Sequence, residues 1–236
     1  MSHQATDPLQ LRLMPCRPSL APNVSGEIQS AYRLWEQMGR EIYTTLGSKR
    51  LAASDQFTRQ DFVAGIYHKG CCAGMVCFRR TNTSCAIERA DSWFQPWPEA
   101  SLTALGAEHP RGLIMSFLMV HPDYRRASTQ TAAGGPAVSE LVVKIASLVF
   151  LESGAQLGYG VTRNDRSVNK LAQAAGWNAV VRGVRHLGYD TDCVVLTQES
   201  ARKSCAAFDR TILEVWENRA LHANIHLFET GIPDAK

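Results

Sequence analysis

The chain has 236 residues, 45% of them hydrophobic and 20% charged, which is enough apolar material for a sizeable core. Its net charge of +3 is too small, and its basic residues too dispersed, to suggest a nucleic-acid partner. The most apolar segment, 141–151, carries Lys144 and is too short to cross a bilayer, so no integral membrane segment is expected.

The first eight residues are polar and lack the basic-then-apolar order of a signal peptide, which makes a cytoplasmic protein the expectation. Seven scattered cysteines read as reduced small hydrophobes. Cys71-Cys72 followed by Cys77 lacks a zinc-type spacing, and no metal is expected.

In chain order, residues 1–23 read as an N-terminal extension. Leu9, Leu11 and Leu13 alternate there as a short edge strand, ended by Pro15 and Pro18. Ser25 is placed to cap a helix running to about Leu46, with Ile28, Tyr32, Trp35, Met38 and Ile42 on one face. Lys49 to Arg59 reads as loop, with Asp55-Gln-Phe-Thr58 its most distinctive part. Phe62–His68 and Cys72–Arg79 flank Lys69-Gly70 and form a clear hairpin. Thr81 to Gly112 reads as a long irregular connection. Its Trp93-Phe-Gln-Pro-Trp97 either lines a pocket or staples the loop to the body.

Leu113–Val120 reads as a buried strand, stopped by His121-Pro122 because proline cannot donate to a ladder. Pro136 suits the first position of a helix that carries Val138, Leu141, Val142, Ile145, Leu148 and Val149 and ends at Gly154. Ala155–Thr162 follows as a strand, then a helix over Asn164–Ala175 ended by Gly176. Two strands, Ala179–Leu187 and Cys193–Thr197, precede an amphipathic helix over roughly Glu199–Leu221. The order implies a mixed α/β fold. The expected organisation is the extension 1–23, a domain over 24–198, and a helix and tail, 199–236, packing on that domain.

The chemistry concentrates between Leu113 and Trp177. A strand, a small-residue loop and a helix direct free N–H groups and a helix dipole at one spot, which favours an anion. Arg125 and Arg126 add charge suited to gripping phosphate, and Gln130, Thr131, Ala132, Ala133, Gly134 and Gly135 let a pyrophosphate approach the backbone. A plain turn with two solvated arginines is the alternative. Asn164 and Asn169 can offer amides to a ligand, although helix capping also accounts for Asn164. Ser116, Tyr159 and Glu140 are catalytic candidates by location. No base stands out: His121 and His68 read as surface residues, and His222 with His226 lacks a third metal ligand.

Val120-His-Pro-Asp-Tyr-Arg125, the glycine-bearing loop, the helix, the strand, and Asn164 to Ala175-Gly-Trp177 together resemble the GNAT superfamily of N-acyltransferases. The resemblance spans Phe62–Leu196 by order of elements. Ala133 stands where the family has its first loop glycine, and Ala172 where it often has a tyrosine. The resemblance implies a mixed-sheet acyltransferase fold with splayed central strands. It implies an acyl-CoA or acyl-phosphopantetheine co-substrate, whose arm pairs with the backbone of Leu118, Met119 and Val120, and an amine acceptor.

A narrower similarity, to the long-chain N-acyl amino acid synthases and acyl-homoserine lactone synthases, rests on Asp55-Gln-Phe-Thr58, Arg79 and Met115-Ser-Phe-Leu-Met-Val120. It implies a fatty acyl donor, with acyl carrier protein as a possible partner. A non-catalytic thioester-binding module that kept the fold is the rival reading.

Overall fold

A computed structural model describes residues 8–20, 22–45, 53–125, 136–225 and 227. Among these residues the strands form one mixed sheet of eight, in the order β6-β7-β5-β4-β3-β2-β1-β8, with helices between them. The strands are β1 (Gln10–Pro15), β2 (Phe62–His68), β3 (Cys71–Asn82), β4 (Arg111–Val120), β5 (Leu157–Arg163), β6 (Asn178–His186), β7 (Tyr189–Thr197) and β8 (Ala220–Leu221). The helices are α1 (Ser25–Thr45), α2 (Asp55–Thr58), α3 (Ala86–Arg89), α4 (Glu99–Glu108), α5 (Val138–Glu152), α6 (Val168–Ala174), α7 (Gln198–Cys205) and α8 (Arg210–Glu217). None is long and apolar enough to cross a membrane.

The chain forms two compact units, and β3, β4 and α5 each contribute to both. In the first unit β1 pairs antiparallel with β2 and parallel with β8. The N-terminal strand is therefore flanked on both sides, because two residues after α8, unmarked by any pattern, come back to cover its other edge. The β2–β3 hairpin turns on Lys69 (φ 50°) and Gly70 (φ 76°). Two left-handed residues in succession match the right-handed twist of the flanking strands. Trp35, Ile28 and Leu34 of α1 pack with Phe57, Val63, Met75, Cys77 and Met119 in the core of this unit.

In the second unit β5 pairs antiparallel with β7, and β7 with β6. The segment 81–112, expected to be irregular, contains α3 and α4. Its aromatic residues act as the staple: Phe94 and Trp97 are buried with Leu102, Ile114, Leu157 and Tyr159. The long C-terminal helix is instead two, α7 and α8, because Asp209 caps a new start with its side chain on the Thr211 N–H. Helix α6 begins only at Val168, after Ser167 in a left-handed conformation, and Pro136 lies two residues before α5 rather than at its first position.

Candidate active site around strand β4

Strand β4 pairs with β5 only over Gly112–Ile114, against Leu157–Tyr159. Three residues later Phe117 adopts φ 54°, a left-handed backbone that a non-glycine strand residue rarely accepts. Such a kink redirects a strand. Beyond it, the His121 N–H donates to the Ala73 carbonyl at 2.9 Å. Successive residues of an extended strand point their amides to opposite edges. Val120 and Leu118 therefore turn theirs away from β3, while the Met119 amide faces it. The Val120 carbonyl, on the outward edge, accepts Nε of Arg125 at 3.0 Å. Arg125 also reaches Glu41 of α1 at 3.5 Å, so its charge is partly answered within the protein.

Around the end of β4 lies a cavity of about 410 Å³, lined by Ser30, Arg33 and Gln37 of α1, by Lys69 and Cys71 of the hairpin turn, and by His121 among others. No acidic side chain lines it, and neither Arg33 nor Lys69 meets an acidic partner among the described residues. Beside it, Nδ1 of His68 lies 2.9 Å from the Tyr124 hydroxyl, and the His121 ring meets the Tyr124 ring edge-on at 5.9 Å. Burial raises the Tyr124 phenol, aided by Cys71 and Asp123. The sequence hid this group because His68 sits on a hairpin strand far from the motif that holds Tyr124.

The expected site residues are distributed as follows. Ser116 is buried, its hydroxyl donating to Oε1 of Gln60 at 3.2 Å, and the Gln60 amide in turn donates to the Gln56 carbonyl. Tyr159, in the second unit, is fully buried between Phe94 and Trp97, with its hydroxyl 3.0 Å from that of Thr83. Burial pushes its phenol up, against the hydrogen bond to Thr83. Asn164 follows β5, and its Nδ2 donates to Asp192 at 3.0 Å; Asn169 hydrogen-bonds the same carboxylate. Arg126, Gln130, Thr131, Ala132, Ala133, Gly134 and Gly135 lie outside the described residues.

No family model matches this chain, and neither does any curated protein. Among solved structures, FeeM, an N-acyl amino acid synthase from uncultured soil microbes, superposes with a TM-score of 0.56 at 14% identity, over 84% of this chain and 95% of its own. BjaI, a CoA-dependent acyl-homoserine lactone synthase solved with SAM and isopentyl-CoA, gives 0.54 at 9% identity over 89% and 100%. An agmatine N-acetyltransferase gives 0.55 at 14% identity over 81% and 100%.

The fold is that of the GNAT-type N-acyltransferases. Within this fold, β4 is the strand whose ladder with β5 covers only Gly112–Ile114 and whose backbone kinks at Phe117.

Proposed function

We propose that the chain is an N-acyltransferase that moves an acyl group from a phosphopantetheine thioester, on CoA or on acyl carrier protein, to a primary amine. The observation that carries this reading is the early end of the β4–β5 ladder at Ile114, with the outward amides of Leu118 and Val120 beyond it. A pantetheine arm, with its own amides, extends such an edge as a further strand would. The amine nitrogen attacks the thioester carbonyl, whose π electrons move to oxygen. One of the outward N–H groups stabilises that oxyanion. Collapse breaks the C–S bond and expels the thiolate, which takes up a proton.

The attacking ammonium must first lose a proton, and His121, lining the cavity, is the imidazole placed to accept it. Ser116 and Tyr159 serve in this reading by holding β4 and β5, since both hydroxyls are already engaged. Arg125, Arg126 and residues 130–135 would hold the diphosphate of a CoA donor.

The acceptor class follows from charge. Arg33 and Lys69 leave positive potential uncompensated in a cavity of ligand size, which suits an amine that also bears a carboxylate. An N-acyl amino acid is then the product, a reading in keeping with the name of FeeM.

The test is free-thiol release from acyl-CoA and acyl carrier protein donors of graded chain length, each with amino acids and with uncharged amines. Turnover with amino acids, lost for that class in the Arg33→Ala, Lys69→Ala double variant, is the expected result. Saturable donor binding without thiol release would instead mark a binding module, and no binding at all would remove the thioester from the account.

A further inference from the structure

A second cavity, of about 240 Å³, is lined by Gln10 and Arg12 of β1, Glu27 of α1, Tyr67 near the end of β2 and the turn residues Lys69 and Gly70, among others. Lys69 and Gly70 also line the cavity at the end of β4, and both cavities belong to the first unit. A Cβ built on Gly70 would meet nothing within 4 Å, so the crest of the turn between them is open.

Arg12 sets the chemistry of this second cavity. Its Nη1 lies 3.0 Å from Oε1 of Glu27, and its Nη2 donates to Oε1 of Gln10 at 3.2 Å. A guanidinium only donates, so Gln10 must turn its oxygen to Arg12 and keeps its amide N–H groups for another acceptor. Tyr67 is buried, its hydroxyl donating to the Glu27 backbone carbonyl at 2.8 Å. Burial pushes its phenol well up, so it brings no negative charge. Among the side chains lining the two cavities, Arg12, Arg33 and Lys69 face one carboxylate, Glu27, which leaves an excess of two positive charges. The carboxylate of a simple amino acid answers one of them. Its amine adds no charge once it has lost the proton that acylation requires.

We propose that the acceptor is an amino dicarboxylate that straddles the hairpin turn, its α-carboxylate at Arg33 and Lys69 and its second carboxylate at Arg12 and Gln10. This deepens the acyltransferase reading above and rests on it. In its reactive form such an acceptor carries two negative charges, equal and opposite to the excess around it. A surface ion pair that ties β1 to α1 accounts for Arg12 and Glu27. It does not account for Arg33 and Lys69, gathered at the same turn with no acid to answer them among the described residues.

The experiment measures thiol release from a long-chain acyl-CoA, and from the same acyl group on acyl carrier protein, with aspartate, glutamate, 2-aminoadipate, glutamine and norvaline. The best dicarboxylate should exceed glutamine and norvaline at least tenfold in kcat/KM. Arg12→Gln should cut that ratio at least fivefold. Glu27→Gln, which removes the competing carboxylate, should raise it, and it carries the test should Arg12→Gln fail to fold. Iodoacetamide labelling of Cys71, which is exposed and lines the first cavity, gives a readout that needs no donor. At least one of the three dicarboxylates should protect Cys71 better than norvaline does. Equal kcat/KM for charged and uncharged acceptors, or the same loss for every acceptor in both variants, would overturn the second carboxylate site. Protection of Cys71 without thiol release from any acceptor would leave that site standing and overturn the acyltransferase reading. Neither protection nor release would remove both.

Discussion

The ring of Phe117 meets Trp35 of α1 edge-on at 5.8 Å, from a backbone held at φ 54°. The aromatic contact and the strained conformation thus share one residue, directly before the outward-facing amides of β4. Left-handed backbone costs a side-chain-bearing residue about 1 kcal/mol, and a β-branched one more. Replacing Phe117 by alanine or glycine removes the same ring contact, so the comparison isolates the backbone. Phe117→Gly should be more stable than Phe117→Ala by up to about 1 kcal/mol, reversing the usual order in strands. Phe117→Val should be the least stable of the three. Urea midpoints decide it, and alanine outlasting glycine would mean the kink is not held in solution.

Two glycines permit close approach, and they should differ in what they tolerate. A Cβ on Gly106 of α4 would collide with the Thr83 carbonyl oxygen, whose own residue is tied by its N–H to Pro110 at 3.0 Å. Backbone so fixed cannot give way, so Gly106→Ala should cost about 3 kcal/mol or more. A Cβ on Gly74 would meet methyls of Val138 and Val142 at 2.8 Å. Those are side-chain ends, so Gly74→Ala should cost about 1–2 kcal/mol, and adding Val142→Ala should return part of it. Equal losses in a denaturant titration would contradict this difference.

Adjacent cysteines of the hairpin should react very differently. Both border the cavity, but Cys71 is exposed whereas Cys72 is buried, its thiol pushed up to about 12 by burial and by neighbouring Cys71. Alkylation needs the thiolate and access to it. Iodoacetamide at pH 8 should label Cys71 in the native protein and reach Cys72 only after denaturation, as read by peptide mapping. A carboxylate-bearing amine that occupies the cavity should slow labelling of Cys71. Equal rates at the two positions would show that the turn opens.

Much of the architecture could be read from local pattern. The hairpin over Phe62–Arg79, the strand ending at Val120 and the helix carrying Leu141, Val142 and Ile145 all stand where periodicity puts them. What escaped was set by contacts distant in sequence. The two residues of β8 gain their strand character from β1, and α4 is held by a core closed by Tyr159. The site divides in the same way. Motifs pointed to Val120, Arg125 and Asn164, but the cavity joins α1 to the hairpin turn, and Asp192 sits 28 positions from its partner.

The buried Asp192 also sets an expectation for acid. Folding favours its ionised form, because three hydrogen-bond donors and Arg182 outweigh the effect of burial and hold its pKa below the unfolded value of about 3.9. A depressed folded pKa adds stability that is complete above the unfolded value and disappears as pH falls through the folded one. Asp192→Asn has no such proton to take up. At pH 6 to 7 the variant should be clearly less stable than the wild type. On lowering the pH from about 5 to about 2 the wild type should fall more steeply and the gap should narrow, since protonating Asp192 removes the same charge that the substitution removes. Thermal midpoints at stepped pH measure it. A gap that stays constant through that range would mean that Asp192 is not ionised in the native protein, and that the Asn164 amide is held by something other than its charge.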